Sequence, residues 1–213
     1  MDSEENQQRV SHILNKNLVV SETYELKMCS RIIKNVSEDQ IELVERQEMF
    51  DRLNATRIFI VLIWEERNGD TQYLYSLFKF MNWLLLGGNA TVQKTIYDFF
   101  ITNSSSEKFF RKMNDLILRE IANVNISSRN SNVSKKNLKF GMKLMRLLQL
   151  FCEGHNLDLQ NYLRQQTNSK NNYDLVTLTT KLLSSYKINN ENFESVMQCF
   201  DTLTEFIQVR LVI

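Results

Sequence analysis

Not one of the 213 residues is proline, where average usage of about 5% would supply roughly ten. Proline is the residue that most reliably stops a helix, because it lacks a backbone donor and clashes with the preceding turn. With only five glycines as well, nothing but caps and polar loops interrupts a helical chain. Apolar residues recur at helical spacing along nearly the whole length, and no segment keeps the two-residue alternation of a half-buried strand. The expected fold class is therefore all-α, and short loops between many helices predict an armadillo-like stacked helical array, although no fixed sequence period accompanies it. Helices are expected over 4–16, 22–35, 38–67 with a break near Asn54, 71–86, 90–101, 106–123, 138–153, 157–165, 174–186 and 193–209. Gly87-Gly88-Asn89 reads as a helix end. Ser37 with Gln40, and Asn192 with Ser195, read as helix starts.

Charge narrows the function. Twenty-six basic side chains against 25 acidic leave a net charge of +1, which creates no field that would gather nucleic acid or an anionic membrane. The longest purely apolar run, Ile58 to Trp64, is far short of the roughly 20 residues that span a bilayer, so no membrane insertion by this chain is expected. Met1-Asp2-Ser3-Glu4-Glu5 is acidic where a secretory leader is basic and then apolar, which predicts a cytoplasmic protein. Cys29, Cys152 and Cys199 lie far apart without metal-binding or redox spacing and are expected as buried thiols.

The stretch 125–137, NISSRNSNVSKKN, is polar and reads as a linker. It divides the chain into a helical lobe over 1–124 and a second over 138–213. The aromatic groups Phe78-Phe80-Trp83, Tyr97-Phe99-Phe100 and Phe109-Phe110 fall at helical spacing and are assigned to the core. Catalytic machinery is not expected: the histidines are His12 and His155, and no phosphate-cradling loop, nucleophile elbow or HExxH pattern occurs.

Two helices carry polar stripes. Lys139, Lys143, Arg146, Gln149 and Glu153 lie opposite Leu144, Leu147, Leu148, Leu150 and Phe151, so this stripe is solvated or faces another polar surface. On the last helix Glu194, Gln198, Asp201, Glu205 and Gln208 form a stripe, with Phe193, Val196, Met197, Phe200, Leu203 and Ile207 expected to face inward. Exposed carboxylates are the ordinary outcome for such stripes. A hard-cation site is the sharper reading, because carboxylate and amide oxygens suit Ca²⁺, but spacing does not bring Glu153 to Glu205.

The run Leu147-Leu148-Gln149-Leu150-Phe151-Cys152-Glu153-Gly154-His155-Asn156-Leu157-Asp158-Leu159-Gln160-Asn161-Tyr162-Leu163-Arg164 closely resembles a segment of intracellular calcium-release channels, the inositol trisphosphate and ryanodine receptors. Leu203-Thr204-Glu205-Phe206-Ile207-Gln208 resembles a later segment. Asn172-Tyr173-Asp174-Leu175-Val176 is similar to the inositol trisphosphate receptor pattern. Leu86-Gly87-Gly88-Asn89 with Val92-Gln93, and Ser106-Glu107-Lys108-Phe109-Phe110, resemble the helices that precede them. The likeness covers Leu77 to Gln208.

This resemblance implies a cytosolic, RIH-associated helical domain that couples distant ligand sites to the pore of a tetrameric channel, at the cytosolic face of the endoplasmic reticulum. Its partners would be other domains and subunits of that channel. It implies Glu153 and Glu205 as carboxylate ligands of an activating Ca²⁺ site, with His155 and Gln208 orienting them by hydrogen bonds. Gly154 stands where the family has Asn, and Val209 to Ile213 replaces the family's Gly-Pro-Cys continuation, so a fragment or diverged piece is expected. A further ligand of the family's site comes from a segment near the channel's C-terminus, which makes Ca²⁺ binding by this chain weak. The rival reading is a free-standing helical interaction module without calcium coupling.

Overall fold

The computed structural model describes residues 39–127 and 135–208. The expected helices over 4–16 and 22–35, the Ser37 cap, His12 and Cys29 lie outside them. The described residues from Glu45 onward form one compact unit, and 39–44 belong to another.

Nine helices appear among the described residues: α1 (39–52), α2 (Ala55–Glu65), α3 (Thr71–Leu84), α4 (Ala90–Thr102), α5 (Glu107–Ser127), α6 (Lys135–Cys152), α7 (Leu157–Arg164), α8 (Leu175–Ser185) and α9 (Phe193–Ile207). Asn54, with φ of 63°, separates α1 from α2 where the break is expected; asparagine tolerates this left-handed backbone better than most residues. Side chains of Asp70, Asn89, Asn156 and Asp174 accept from first-turn amides of the helices they precede, satisfying donors that have no partner within the helix. Asn192 departs from the expected start signal: its Oδ1 accepts from the Asn189 amide at 2.9 Å and makes no bond to the first turn of α9.

The helices stack as three successive triplets, in the armadillo manner. Helices α3, α6 and α9 pack in series, as do α2, α5 and α8, and α4 packs on α7. On the α1 side, Glu48 and Asp51 accept from Thr91 and Thr95 of α4 at 2.9 and 2.7 Å. One apolar cluster runs from Ile60 to Phe206, so side chains from before and after the polar stretch share a core. Within that stretch, 125–127 close α5 and 135–137 open α6, and 128–134 lie outside the described residues. The three aromatic groups enter the core as expected, with Phe78, Phe100, Phe109 and Phe110 fully buried. Cys152 and Cys199 are free, buried thiols.

Helix α9 corrects one expectation. Phe193, Met197, Phe200 and Ile207 are exposed, at 54, 42, 49 and 65%, whereas Ser195, Val196, Cys199, Thr202 and Phe206 are buried. The helix is rotated because its neighbour α6 presents a polar surface that must be matched. Gln198 Nε2 donates to Gln149 Oε1 at 2.7 Å, and Thr202 Oγ1 donates to the Met145 carbonyl at 3.1 Å. Leaving buried polar groups unmade costs about 1–3 kcal/mol each. That is comparable to what burying one more apolar side chain returns.

A second polar group is buried without sequence warning. Glu120 of α5 is 5% exposed, with Asn123 Nδ2 donating to its Oε1 at 3.3 Å. A Cβ on Gly141 of α6 would sit 3.0 Å from its Oε2, so that glycine admits the carboxyl. Tyr186, after α8, lies near enough for the Glu120 charge to act on its phenol, as that of Cys199 of α9 does. Burial pushes the Glu120 carboxyl up to about 7, against the opposing charge of Arg119. A carboxyl whose folded pKa exceeds its unfolded value stabilises while protonated, and that stability is lost as pH rises from the unfolded value to about 7. Glu120→Gln is expected to remove this loss. In urea unfolding it gains on the order of 2 kcal/mol over wild type at pH 8 and little at pH 4.5.

Candidate functional site

Glu153 follows the last residue of α6, and Glu205 lies in the last turn of α9. Because α6 and α9 pack together, the two carboxylates that are 52 positions apart in sequence become neighbours in space. Burial, and then the like charge of Glu153, hold the Glu205 carboxyl above its ordinary range, opposed by His155 and Arg146. A helix C-terminus carries partial negative charge, so each carboxylate sits where its helix disfavours an anion and favours a cation.

Hydrogen bonding leaves this cluster unfinished. Glu153 Oε2, Glu205 Oε2 and His155 Nδ1 are buried atoms without a hydrogen-bond partner, whereas buried polar atoms in folded proteins are nearly always paired. Arg146 Nη2 approaches Glu153 Oε2 at 3.4 Å, an ion pair without hydrogen-bond alignment, with side chains 30 and 27% exposed. Cys152 lies beside the pair, its thiol pushed up by burial and then by the charge of Glu205.

The turn after α6 is unusual. Gly154 and His155 have φ of 80° and 63°; the second is uncommon for a residue with a side chain, and His155 lies close enough to Glu205 for its charge to act on that carboxyl. Glycine at 154 takes the left-handed conformation without cost. Gln208 is exposed, and its contribution is the backbone carbonyl, which accepts from Gln160 Nε2 at 3.0 Å. The structure thus brings together Glu153, Glu205 and His155 and leaves the Gln208 side chain outside.

Three residues that lie within the motifs quoted above but had no role at the site assigned to them shape the turn. Gln93 Nε2 donates to the carbonyls of Leu150 and Glu153 at 3.0 and 2.8 Å. Asn156 Nδ2 donates to Gln93 Oε1 at 3.0 Å. A Cβ on Gly88 would stand 2.9 Å from the Glu153 carbonyl oxygen.

Oxygen donors fit a hard cation, and the carboxylate oxygens that accept no hydrogen bond are where one would sit. Two carboxylates offer at most four oxygens against the roughly 6 to 8 that Ca²⁺ takes. Among the described residues no group of three or more His, Cys, Asp or Glu is placed to hold a metal ion. Glu153 and Glu205 by themselves therefore fall short of a complete Ca²⁺ coordination sphere.

Residues 135–211 match the family described as RyR and IP3R Homology associated. An inositol 1,4,5-trisphosphate receptor of Caenorhabditis elegans is 38% identical over 77 residues, covering 30% of this chain and 3% of the receptor. The chain thus spans a small part of the length of that relative. Among the described residues no helix is long and apolar enough to cross a membrane. The matched region holds α6 to α9, both carboxylates and the turn between Glu153 and Asn156, so the part of the chain that is similar to the RyR and IP3R Homology associated family is the part that carries the candidate site.

Proposed function

We propose that this chain acts as a cytosolic coupling segment of an intracellular calcium-release channel, with Glu153 and Glu205 contributing carboxylates to an activating Ca²⁺ site. One observation carries the reading: two like-charged carboxyls from separate helices meet, each with a buried oxygen that accepts no hydrogen bond. Without a cation they repel. With one they draw the ends of α6 and α9 together, which converts calcium concentration into helix placement. His155 lies beside them, and Arg146 neutralises part of the charge. The remaining oxygens would come from another part of the channel, and its other domains and subunits would be the partners, at the cytosolic face of the endoplasmic reticulum. The worm receptor match and the Asn172-Tyr173-Asp174-Leu175-Val176 pattern favour the inositol trisphosphate type over the ryanodine type.

A calorimetric calcium titration of the whole chain, beside the Glu153→Gln/Glu205→Gln double variant at matched ionic strength, tests this. Saturable binding with Kd of about 10⁻⁴ to 10⁻³ M or weaker is expected for wild type and none for the double variant. Arg146→Gln is expected to tighten binding several-fold by removing the competing guanidinium. Affinity should rise with pH until the Glu205 carboxyl is fully ionised and then level off, since the proton competes with the cation. Identical titrations for wild type and double variant would favour the second reading, a helical interaction module without calcium coupling, which the Arg146–Glu153 ion pair and the lack of a third acidic group at the site among the described residues support.

A further inference from the structure

One side-chain device recurs in each triplet of the array. Gln47 of α1 donates through Nε2 to the carbonyls of Trp83 and Leu86 at the end of α3, at 2.8 and 3.0 Å. Gln93 of α4 does the same for Leu150 and Glu153 at the end of α6, at 3.0 and 2.8 Å. Gln160 of α7 does so for Glu205 and Gln208 at the end of α9, at 2.7 and 3.0 Å. In every case the acceptors are three positions apart, the spacing at which carbonyls left over at a helix end point to one side. All three glutamines are buried, at 0, 2 and 5% exposure.

The rungs are joined to one another. Asn89 Nδ2 donates to Gln47 Oε1 at 2.9 Å, and Asn156 Nδ2 donates to Gln93 Oε1 at 3.0 Å. Each asparagine also caps the helix carrying the next glutamine, α4 for Asn89 and α7 for Asn156. The pattern Asn-x-x-Val/Leu-Gln, at 89–93 and 156–160, is the sequence trace of this arrangement.

We infer that Gln93 and Gln160, linked through Asn156, are positioning residues that hold the turn bearing Glu153 and the turn bearing Glu205 in one register. Each glutamine grips the backbone carbonyl of the carboxylate-bearing residue itself, so the acidic side chains start from backbones that are tied to a common strut. Removing an amide leaves two buried carbonyls unpaired, and the end of a helix is where local opening is easiest. Because Asn156 both bonds Gln93 and starts the helix carrying Gln160, release at one turn propagates to the other. The consequence for a cation rests on the reading proposed above; the mechanical link does not.

Hydrogen exchange on the whole chain without calcium tests it. The reporters are the amides of Glu153, Asn156 and Gln208, which bond the carbonyls of Gln149, Cys152 and Thr204. Gln93→Leu is expected to speed exchange by about ten-fold or more at all three while amides of α8 stay as in wild type. Asn82→Leu is the control: it deletes a similar amide bond, Asn82 Nδ2 to the Lys143 carbonyl at 3.1 Å, off the ladder, and should leave the reporters unchanged. Should Gln93→Leu not fold, Asn156→Ser keeps a capping oxygen for α7 but cannot reach Gln93, and the same reporters should speed up. Acceleration confined to Glu153 and Asn156, or equal in α8, overturns the inference. Linked exchange in a chain that binds no calcium would sink the calcium reading and leave the positioning role standing.

Discussion

Gly88→Ala is expected to destabilise the unit by about 2–4 kcal/mol, whereas the neighbouring Gly87→Ala costs about 1–2 kcal/mol. Both glycines have left-handed backbone, with φ of 69° and 82°, so alanine at either incurs the same conformational penalty. They differ in what the new methyl meets. At Gly87 nothing lies within 4 Å, but at Gly88 the Glu153 carbonyl oxygen is 2.9 Å away and its carbon 3.2 Å. That oxygen belongs to a backbone held by Gln93 at 2.8 Å, so it yields only by breaking the bond, a further loss of about 1 kcal/mol or more. Urea midpoints of both variants check the difference. Equal losses would mean that the loop and the Glu153 turn part freely.

Phe100→Ala carries the larger cost, about 3–5 kcal/mol, because a fully buried aromatic is lost and the cavity cannot close. Phe100 meets Phe109 and Phe110 with centroids at 5.0 and 4.9 Å, Tyr162 at 6.0 Å and Phe151 at 6.2 Å. These rings come from α4, α5, α7 and α6, so one side chain ties the middle triplet to the next. Its backbone carbonyl also accepts from Ser106 Oγ at 2.9 Å and Tyr162 Oη at 3.2 Å, bonds that the substitution leaves in place. Thermal unfolding should fall by roughly 10 °C, with helicity retained at low temperature. Phe100→Leu should recover more than half of the loss. A change under about 1 kcal/mol for the alanine variant would show that the rings repack around the void.

Much of this architecture is legible from local rules. The missing prolines and helical spacing identify helices over 71–84, 90–102 and 157–164 to within two residues, because those signals concern hydrogen bonds closed within a few positions. The break at Asn54 and the glycine pair at 87–88 are legible for the same reason. Phe193, Met197, Phe200 and Ile207 face outward against expectation, since spacing tells which residues share a face and not which way the helix is turned. The orientation of α9 follows from Gln149 and Met145 on another helix, whose polar groups required Gln198 and Thr202. The burial of Glu120 was equally hidden, as it depends on Gly141 across an interhelical contact.

The candidate site divides in the same way. The residues around Glu153 and Glu205 are distinctive enough in sequence to be placed beside calcium-release channels, and the helix-end position of each is a local property. Their meeting, the unpaired oxygens that result, and the glutamine ladder beneath them arise only in the packed array. Gln93 reaches Glu153 across 60 positions and Gln160 reaches Glu205 across 45. Such contacts are decided by which helices stack and at what rotation. Local sequence determined that this chain would make capped helices. Burial of their apolar faces, together with the need to pair every buried polar group, decided which helix ends would stand together.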